Sequence, residues 1–437
     1  MNYFIRTFGC QMNKADSEII DGVMQSDGHI PVISEGKADL VIINTCGVRE
    51  HAVDRLYGYI RSLRPETGSH RPFIAVGGCV AQLKKETLFD DISQLDCIFG
   101  TTSFDRLPEA ATLMSGGERR VNLVSPDQTV KEGLPTLRAQ ITKAWLPISR
   151  GCNNYCAYCV VPYARGRERS RAFDVIVAEA ESLVANGVIE ITLLGQNVNS
   201  YGNDLGQVDL FADLLRRLDK IKGVRRIRFL TSHPKDLSAK TIEAIAESSS
   251  VCEHLHLPLQ SGSDKILSAM KRGYDAGRYF ERVRAVRGAV TGISLTTDLI
   301  VGFPGETEND FAATMSLVNE IGFDSAFMFQ YSKRAGTLSA RLEETVPEEE
   351  KERRLTRLIE LQSKISLRKN REYIGREVEV FIEGPSRRNP ASMKGLTRTN
   401  KTVNLASPPD KTGSFQTVRI DNATSASLAG TLCGEIG

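Results

Sequence analysis

The feature that most constrains this chain is an alternation of short apolar runs with helical patterns, which occurs twice and is interrupted once. Tyr3 to Phe8 precedes a helical pattern from Asp16 to Met24, Leu40 to Ile43 precedes one from Val48 to Leu63, and Phe73 to Val76 precedes a polar helical stretch. That alternation predicts an open, largely parallel α/β sheet. A polar stretch from about Ser115 to Gln140, holding Gly116, Gly117, Pro126, Gly133 and Pro135, reads as a linker. The second alternation starts at Trp145, with strands expected at 145–148, 190–194, 226–230, 254–257, 294–300 and 325–329. Six successive βα units predict a partial or complete parallel barrel whose active site lies at the C-terminal ends of the strands. A charged helix over about 347–371 closes it, with Leu355, Leu358, Ile359 and Ile365 on one face. The tail segments REVEVFIEGPS, KTVNLAS and FQTVRIDNAT are short β-like runs separated by Gly, Pro and Asn, the pattern of a small all-β barrel. The expected boundaries are 1–118 for the first α/β unit, 119–140 for the linker, 141–371 for the barrel and 372–437 for the tail.

A chain of 437 residues is too long for one ordinary core, so two or three domains are expected. With 41% hydrophobic and 25% charged residues, and no stretch near the roughly 20 apolar residues that span a bilayer, a membrane protein is excluded. MNYFIRTFGC has no basic segment followed by an apolar run and a cleavage site, so a cytoplasmic location with reduced thiols is expected. The net charge of +2 neither requires nor excludes a nucleic acid; only a local patch could carry that signal.

Nine cysteines in a reducing compartment point to metal binding, catalysis or simple burial rather than disulfides. Cys152, Cys156 and Cys159 form C-x3-C-x2-C directly after the first barrel strand. Three thiolates on a four-iron cubane leave one iron open to a substrate. The alternative is zinc, which needs a fourth Cys or His nearby, and the next candidate is His233. Cys10, Cys46 and Cys79 are separated by 36 (46 − 10) and 33 (79 − 46) residues, and each ends an expected strand. Neighbouring parallel strands bring such ends to one edge, so the three are either a second cluster site or three small buried residues. Cys97, Cys252 and Cys433 have no cysteine at ligand spacing and read as packing residues.

The segments TFGCQMNKADSE, INTCGVREHA, GGCVAQ, RGCNNYCAYCVVPYARGRERSR, LLGQNVNSYG, TSHP, HLPLQSGSD and DLIVGFPGET resemble, in order, the radical S-adenosylmethionine methylthiotransferases. Gln11-Met12-Asn13 and VVPYARGRERSR are similar to the subgroup that makes 2-methylthio-N6-isopentenyladenosine beside the anticodon of transfer RNA. The likeness runs from residue 1 to about 430. It implies an N-terminal methylthiotransferase domain, a radical barrel core and a C-terminal TRAM domain that helps hold RNA. It also implies that Cys152, Cys156 and Cys159 ligate a reductive [4Fe-4S] cluster, that Cys10, Cys46 and Cys79 ligate an auxiliary one, and that two molecules of S-adenosylmethionine are used. The strong C2–H bond of adenine calls for a radical from a cofactor, because side-chain acids and bases cannot break it. An electron donor such as a flavodoxin or ferredoxin and an iron–sulfur carrier are implied partners, with a monomer as the default state. The sister substrates are threonylcarbamoyladenosine and a ribosomal-protein aspartate; enzymes of the latter type usually carry Pro-Lys-Asn after the first cysteine, which is absent here. A non-catalytic iron–sulfur RNA-binding protein is the alternative of another class.

Gly195, Gln196, Asn197, Ser232, Gln260 and Asp298 follow or lie in barrel strands where they suit contacts to S-adenosylmethionine, or else serve as loop caps. Arg165 and Arg167, with Arg169 and Arg171, follow the cysteine loop and could meet RNA phosphate or the cofactor carboxylate. Residues 384–409 hold Arg387, Arg388, Lys394, Arg398 and Lys401 with no acidic residue, which fits phosphate contact or a solvated loop. Two segments depart from the family: Ala335 stands where proline is usual, and GLTRTNK differs from the usual Gly-Arg-Thr tail motif.

Overall fold

The computed structural model describes residues 1–47, 50–63, 71–127, 129, 131–386 and 389–435. The N-terminal unit runs β1 (Asn2–Phe8), α1 (Gln11–Ser26), β2 (Ile30–Pro31), β3 (Leu40–Thr45), α2 (Glu50–Ser62), β4 (Phe73–Gly78), α3 (Cys79–Lys84), α4 (Thr87–Asp91), β5 (Cys97–Phe99), α5 (Leu107–Ser115) and β6 (Val121–Leu123). Its strands pair in parallel in the order β2-β1-β3-β4-β5-β6. The central β3, LVIINT, is buried along its whole length because helices cover both faces. Phe8 pairs with Thr45 and Thr45 with Gly78, so the three strands end level with one another.

The expected boundary at 118 and linker at 119–140 need correction. β6 belongs to the sheet, and the segment after it is packed rather than free. Leu137 N–H donates to the Glu18 carbonyl at 3.0 Å, and Arg138 reaches Glu18 and Glu179 at 3.0 and 2.7 Å. The segment straps α1 to the barrel, a tertiary role that its Gly/Pro content conceals.

The core continues through β7 (Lys143–Pro147), β8 (Ser149–Arg150), α6 (Val161–Arg165), β9 (Arg169–Ser170), α7 (Phe173–Ala185), β10 (Glu190–Leu194), α8 (Leu210–Asp219), β11 (Arg226–Phe229), α9 (Ala239–Glu247) and β12 (His254–His256). It ends with α10 (Asp264–Ala269), α11 (Ala276–Ala289), β13 (Ser294–Val301), α12 (Glu308–Ile321), β14 (Ser325–Gln330) and α13 (Glu348–Arg371). All six expected strands form. They make two parallel sheets, β11-β10-β7 and β12-β13-β14, joined by an Ile227–Val251 bridge. Among the described residues nothing pairs β14 with β7, so the barrel is partial. Leu146, Ile191, Leu193, Ile227, Leu255, Leu295 and Leu299 pack outward against the helices. The alternating residues, among them Trp145, Thr192, Leu194, Arg228, His256, Asp298 and Phe327, therefore lie on the inner face.

Helix α13 buries Leu358 and Ile365, but Ile359 is exposed, contrary to the expected apolar face. The inward stripe is completed by Lys351, Arg354, Gln362, Ser366 and Asn370, polar residues that each find hydrogen-bond partners, as where Gln362 donates to the Phe323 carbonyl at 2.9 Å.

The tail forms a closed barrel of β15 (Glu377–Pro385), β16 (Met393–Thr397), β17 (Thr402–Leu405), β18 (Phe415–Ala423) and β19 (Leu428–Glu435), in the order β15-β16-β17-β19-β18. It docks beneath the N-terminal ends of the core strands through buried charge. Lys143 lies 3.0 Å from Glu190 and 2.8 Å from Glu383, Arg226 lies 2.6 Å from Glu379, and Arg228 donates to the Thr397 carbonyl at 2.7 Å. Cys97 and Cys252 are buried packing residues, whereas Cys433 is exposed on β19.

Candidate functional site

The level ends of β1, β3 and β4 place Cys10, Cys46 and Cys79 side by side. Cys10 caps α1, Cys46 follows β3 with its N–H on the Phe8 carbonyl at 2.8 Å, and Cys79 opens α3. Gly78 makes that turn at φ +86°, where a Cβ would meet the Thr45 carbonyl at 2.5 Å. A Cβ on Gly47 would lie 3.3 Å from that of Cys79, which shows how closely the two ends approach. A hydrogen bond from the Cys46 thiol, with the nearby Arg165 guanidinium and despite burial, lowers Cys10 to about 6. Cys10 packs with Met12 against Trp145, Leu194 and Leu230, so this edge is seated on the mouth of the core barrel.

Cys152, Cys156 and Cys159 occupy the loop between β8 and α6. Gly151 at φ +75° admits no side chain, because a Cβ would stand 2.1 Å from the Arg167 carbonyl. Ala157 N–H donates to the Met270 carbonyl at 2.9 Å, and Cys159 N–H to the Cys156 carbonyl at 3.0 Å. Burial pushes Cys152 up to about 11 and Cys159 up to about 12, with the neighbouring thiols adding to both. Thiols held protonated in this way release protons when a cation takes their place. Among the described residues no three His, Cys, Asp or Glu side chains converge tightly enough to share one metal ion; a cubane asks for a looser set, since each thiolate takes a different iron.

Around the mouth, several buried polar atoms have no partner among the described residues: Ser149 Oγ, Gln196 Oε1, Asn197 Oδ1, Ser232 Oγ, His233 Nε2 and Gln260 Oε1. All follow strand C-terminal ends, and four belong to residues singled out from the sequence. Buried polar groups are nearly always bonded, so a cluster of orphans at one mouth marks where a polar ligand fits. Gln260 is held at φ +70° by its N–H on the Asp298 carbonyl at 2.8 Å and its own carbonyl accepting from Ile300 at 2.9 Å. A Cβ on Gly195 would meet Ser149 Oγ at 2.6 Å, so glycine keeps that approach open. Asp298 lies deeper, 3.4 Å from His256 Nε2.

Two residues here carried no sequence signal. Glu168, masked among arginines in GRERSR, is buried beside the Ser200 hydroxyl, and burial raises its carboxyl to about 7. Arg272 donates to Cys156 Sγ at 3.1 Å from 116 residues away, a pairing that no spacing rule announces.

The residues expected to meet RNA divide sharply. Arg167 is exposed. Arg165 is not available to phosphate: it is 5% exposed and its Nη2 donates to Asp16 at 2.9 Å, beside Cys10 and Cys79. Lys401 is buried 2.8 Å from Asp324, and Arg398 grips Glu253 at 2.7 Å and the Val251 carbonyl at 2.8 Å. Both spend their charge on docking the tail barrel. Lys394 is half-exposed and 3.2 Å from Glu383, while Arg387 and Arg388 lie outside the described residues.

Three family models match in succession: uncharacterized protein family UPF0004 over residues 2–100, the radical SAM superfamily over 146–318 and the TRAM domain over 371–433. The tRNA-2-methylthio-N(6)-dimethylallyladenosine synthase of Carboxydothermus hydrogenoformans is 46% identical over 99% of both chains. That of Thermoanaerobacter pseudethanolicus is 44% identical over 98% of this chain and 92% of its own. Among solved structures, the radical S-adenosylmethionine methyltransferase TsrM of Kitasatospora setae superposes at TM-score 0.55, with 16% identity over 75% of this chain and 74% of its own. The cobalamin-dependent radical enzyme OxsB superposes at 0.53, with 13% identity over 82% and 56%. The fold and the full-length identity lead to one conclusion: the chain belongs to the radical SAM tRNA methylthiotransferases, the family of the tRNA-2-methylthio-N(6)-dimethylallyladenosine synthases.

Proposed function

We propose that the protein is the enzyme that converts N6-isopentenyladenosine beside the anticodon of transfer RNA to its 2-methylthio derivative. The observation that carries this reading is that the edge bearing Cys10, Cys46 and Cys79 is seated on the barrel mouth beside the helix that follows the Cys152 loop. Cys10 packs on the inner-face residues Trp145, Leu194 and Leu230. Arg165, which ends the helix after the Cys152 loop, lies beside Cys10 and Cys79.

Cys152, Cys156 and Cys159 would hold the reductive [4Fe-4S] cluster, and Cys10, Cys46 and Cys79 the auxiliary one. Bound there, the clusters and S-adenosylmethionine supply an electron, a carbon radical able to break the C2–H bond, and the sulfur and methyl group of the product. The chain's own residues bind and orient. Gln196, Asn197, Ser232 and Gln260 offer their unpartnered polar atoms to S-adenosylmethionine, Gly195 leaves room for it, and Asp298 faces it from β13. Met12, Trp145 and Leu230 keep water from the space between the triads. Phe327 and Phe329, exposed on the inner face of β14, present ring faces to the adenine and its isopentenyl tail. Arg167 meets phosphate at the rim.

Among the described residues no helix is long and apolar enough to cross a membrane. We place the reaction in the cytoplasm, with a flavodoxin or ferredoxin as electron source, an iron–sulfur carrier for the auxiliary site and a monomer as the working unit.

The test is mass spectrometry of nucleosides from isopentenylated transfer RNA after anaerobic incubation with reconstituted protein, S-adenosylmethionine and reductant. The 2-methylthio nucleoside is expected. Its absence alongside 5′-deoxyadenosine would move the substrate to threonylcarbamoyladenosine or a ribosomal-protein aspartate. Iron analysis should give about eight irons per chain, and about four would remove the auxiliary cluster.

A further inference from the structure

We propose that Arg272 is the buried counter-ion of the reductive cluster and favours its reduced, more negative state. This rests on the assignment of Cys152, Cys156 and Cys159 made above. Arg272 is 5% exposed, and its side chain is fully engaged: Nη1 on Cys156 Sγ at 3.1 Å and Tyr158 Oη at 3.4 Å, Nη2 on the Pro258 carbonyl at 3.2 Å, Nε on Tyr274 Oη at 2.9 Å.

No carboxylate among the described residues lies within ion-pair distance of it, unlike Arg165, Arg226, Arg228 and Arg354. A guanidinium does not give up its proton, and an isolated buried ion is costly, so the charge must be balanced by a neighbour. Tyr158 and Tyr274 present phenols, which with an ordinary pKa of about 10 are neutral near pH 7. Tyr274 in turn donates to the Pro258 or Leu259 carbonyl, at 2.9 and 3.0 Å. Among the described residues the Cys156 sulfur is the one group in contact with Arg272 that can carry negative charge.

A cubane on three thiolates is anionic, and reduction adds one electron from an outside donor without adding a proton here. A fixed cation against a ligand sulfur stabilises the reduced form more than the oxidised one, and hydrogen bonds to cluster sulfurs act in the same direction. Arg272 is therefore a positioning and potential-setting residue, not one that touches the reacting carbon.

The experiment is an EPR-monitored dithionite titration of the reconstituted full chain carrying Cys10→Ala, Cys46→Ala and Cys79→Ala, so that only the reductive cluster titrates. Arg272→Gln is expected to keep about four irons and make reduction at least tenfold less favourable, a fall of about 59 mV for a one-electron couple. Arg272→Lys should recover most of it. An unchanged potential in Arg272→Gln with iron intact would overturn the proposal. If Gln loses iron and Lys keeps it, the charge role stands; if both lose it, Arg272 is only a packing residue. A parent protein that binds no cluster would instead overturn the ligand assignment itself.

Discussion

Asp16 offers the most direct test of how the two halves of the site are held together. It lies in α1, is fully buried, and takes one arginine on each carboxylate oxygen: Arg150 Nη2 at 2.6 Å and Arg165 Nη2 at 2.9 Å, both from the core. Asp16→Ala leaves two guanidiniums without their anion at the seam between the N-terminal unit and the barrel. Breaking a buried pair costs about 3–5 kcal/mol. The two losses do not double, because Arg150 is partly open to water and keeps its bond to the Thr101 carbonyl at 3.0 Å. The estimate is therefore about 3 kcal/mol, the lower end of that range. Asp16→Asn, which keeps the volume and one acceptor, should cost about 1.5–3 kcal/mol, as for a lost charged hydrogen bond.

Trp145 is the single tryptophan and packs in the cluster with Cys10 and Met12, so its fluorescence during urea unfolding reports this seam. With a slope of about 3 kcal/mol per molar, Asp16→Ala should lower the midpoint by about 1 M. Adding Arg165→Met should return part of the loss, because it removes the uncompensated cation; such coupled pairs differ from additivity by about 0.5–3 kcal/mol. A midpoint within about 0.2 M of wild type, or an Arg165→Met cost that simply adds to that of Asp16→Ala, would refute the argument.

Cys156→Ala should abolish S-adenosylmethionine cleavage while leaving the protein soluble, and continued 5′-deoxyadenosine production would refute its ligand role. Cys46→Ala should keep cleavage but lose the methylthio product; full product would show that the auxiliary site is misplaced. Lys401→Met should weaken tail docking by about 3 kcal/mol in denaturation without changing the salt dependence of RNA binding. Arg167→Gln should do the reverse, reducing the slope of log affinity against log salt by about 1; identical slopes would remove it from the RNA surface. Glu168, raised by burial to about 7, holds its proton more tightly in the folded chain than in the unfolded one. Its stabilising contribution is therefore full below about pH 4 and lost as pH rises through about 7, and Glu168→Gln should flatten that part of the stability profile. Parallel profiles would show that Glu168 titrates normally.

The strands of the core were legible because each is a short apolar run bounded by turn residues, the grouping of Cys152, Cys156 and Cys159 because they share one short loop, and that of Cys10, Cys46 and Cys79 because parallel strands bring their ends together. Cys10, Cys46 and Cys79 needed only the register of β1, β3 and β4. The expected linker was misread for the opposite reason. Gly133 and Pro135 look like spacer residues, but the Pro135 carbonyl packs so closely on Gly22 that a Cβ there would stand 2.4 Å away. Composition describes what a segment can do alone, not what covers it.

The arginines make that limit sharper. In YARGRERSR, Arg165 and Arg171 are buried while Arg167 and Arg169 are exposed, although all four sit at alternate positions of one basic run. What separates them is the placement of anions elsewhere in the chain: Asp16 for Arg165, Glu132 and Glu179 for Arg171. The same holds in the tail, where Lys401 and Arg398 find Asp324 and Glu253 on the barrel. A basic cluster thus counts as an RNA surface only after its internal counter-ions are subtracted. Applied to the residues named from the sequence, that subtraction leaves Arg167 exposed with no ion pair among the described residues and Lys394 half-exposed but paired with Glu383, and turns Arg165 into a charge that seats the N-terminal unit at the mouth and Arg398 and Lys401 into charges that dock the tail barrel at the opposite end.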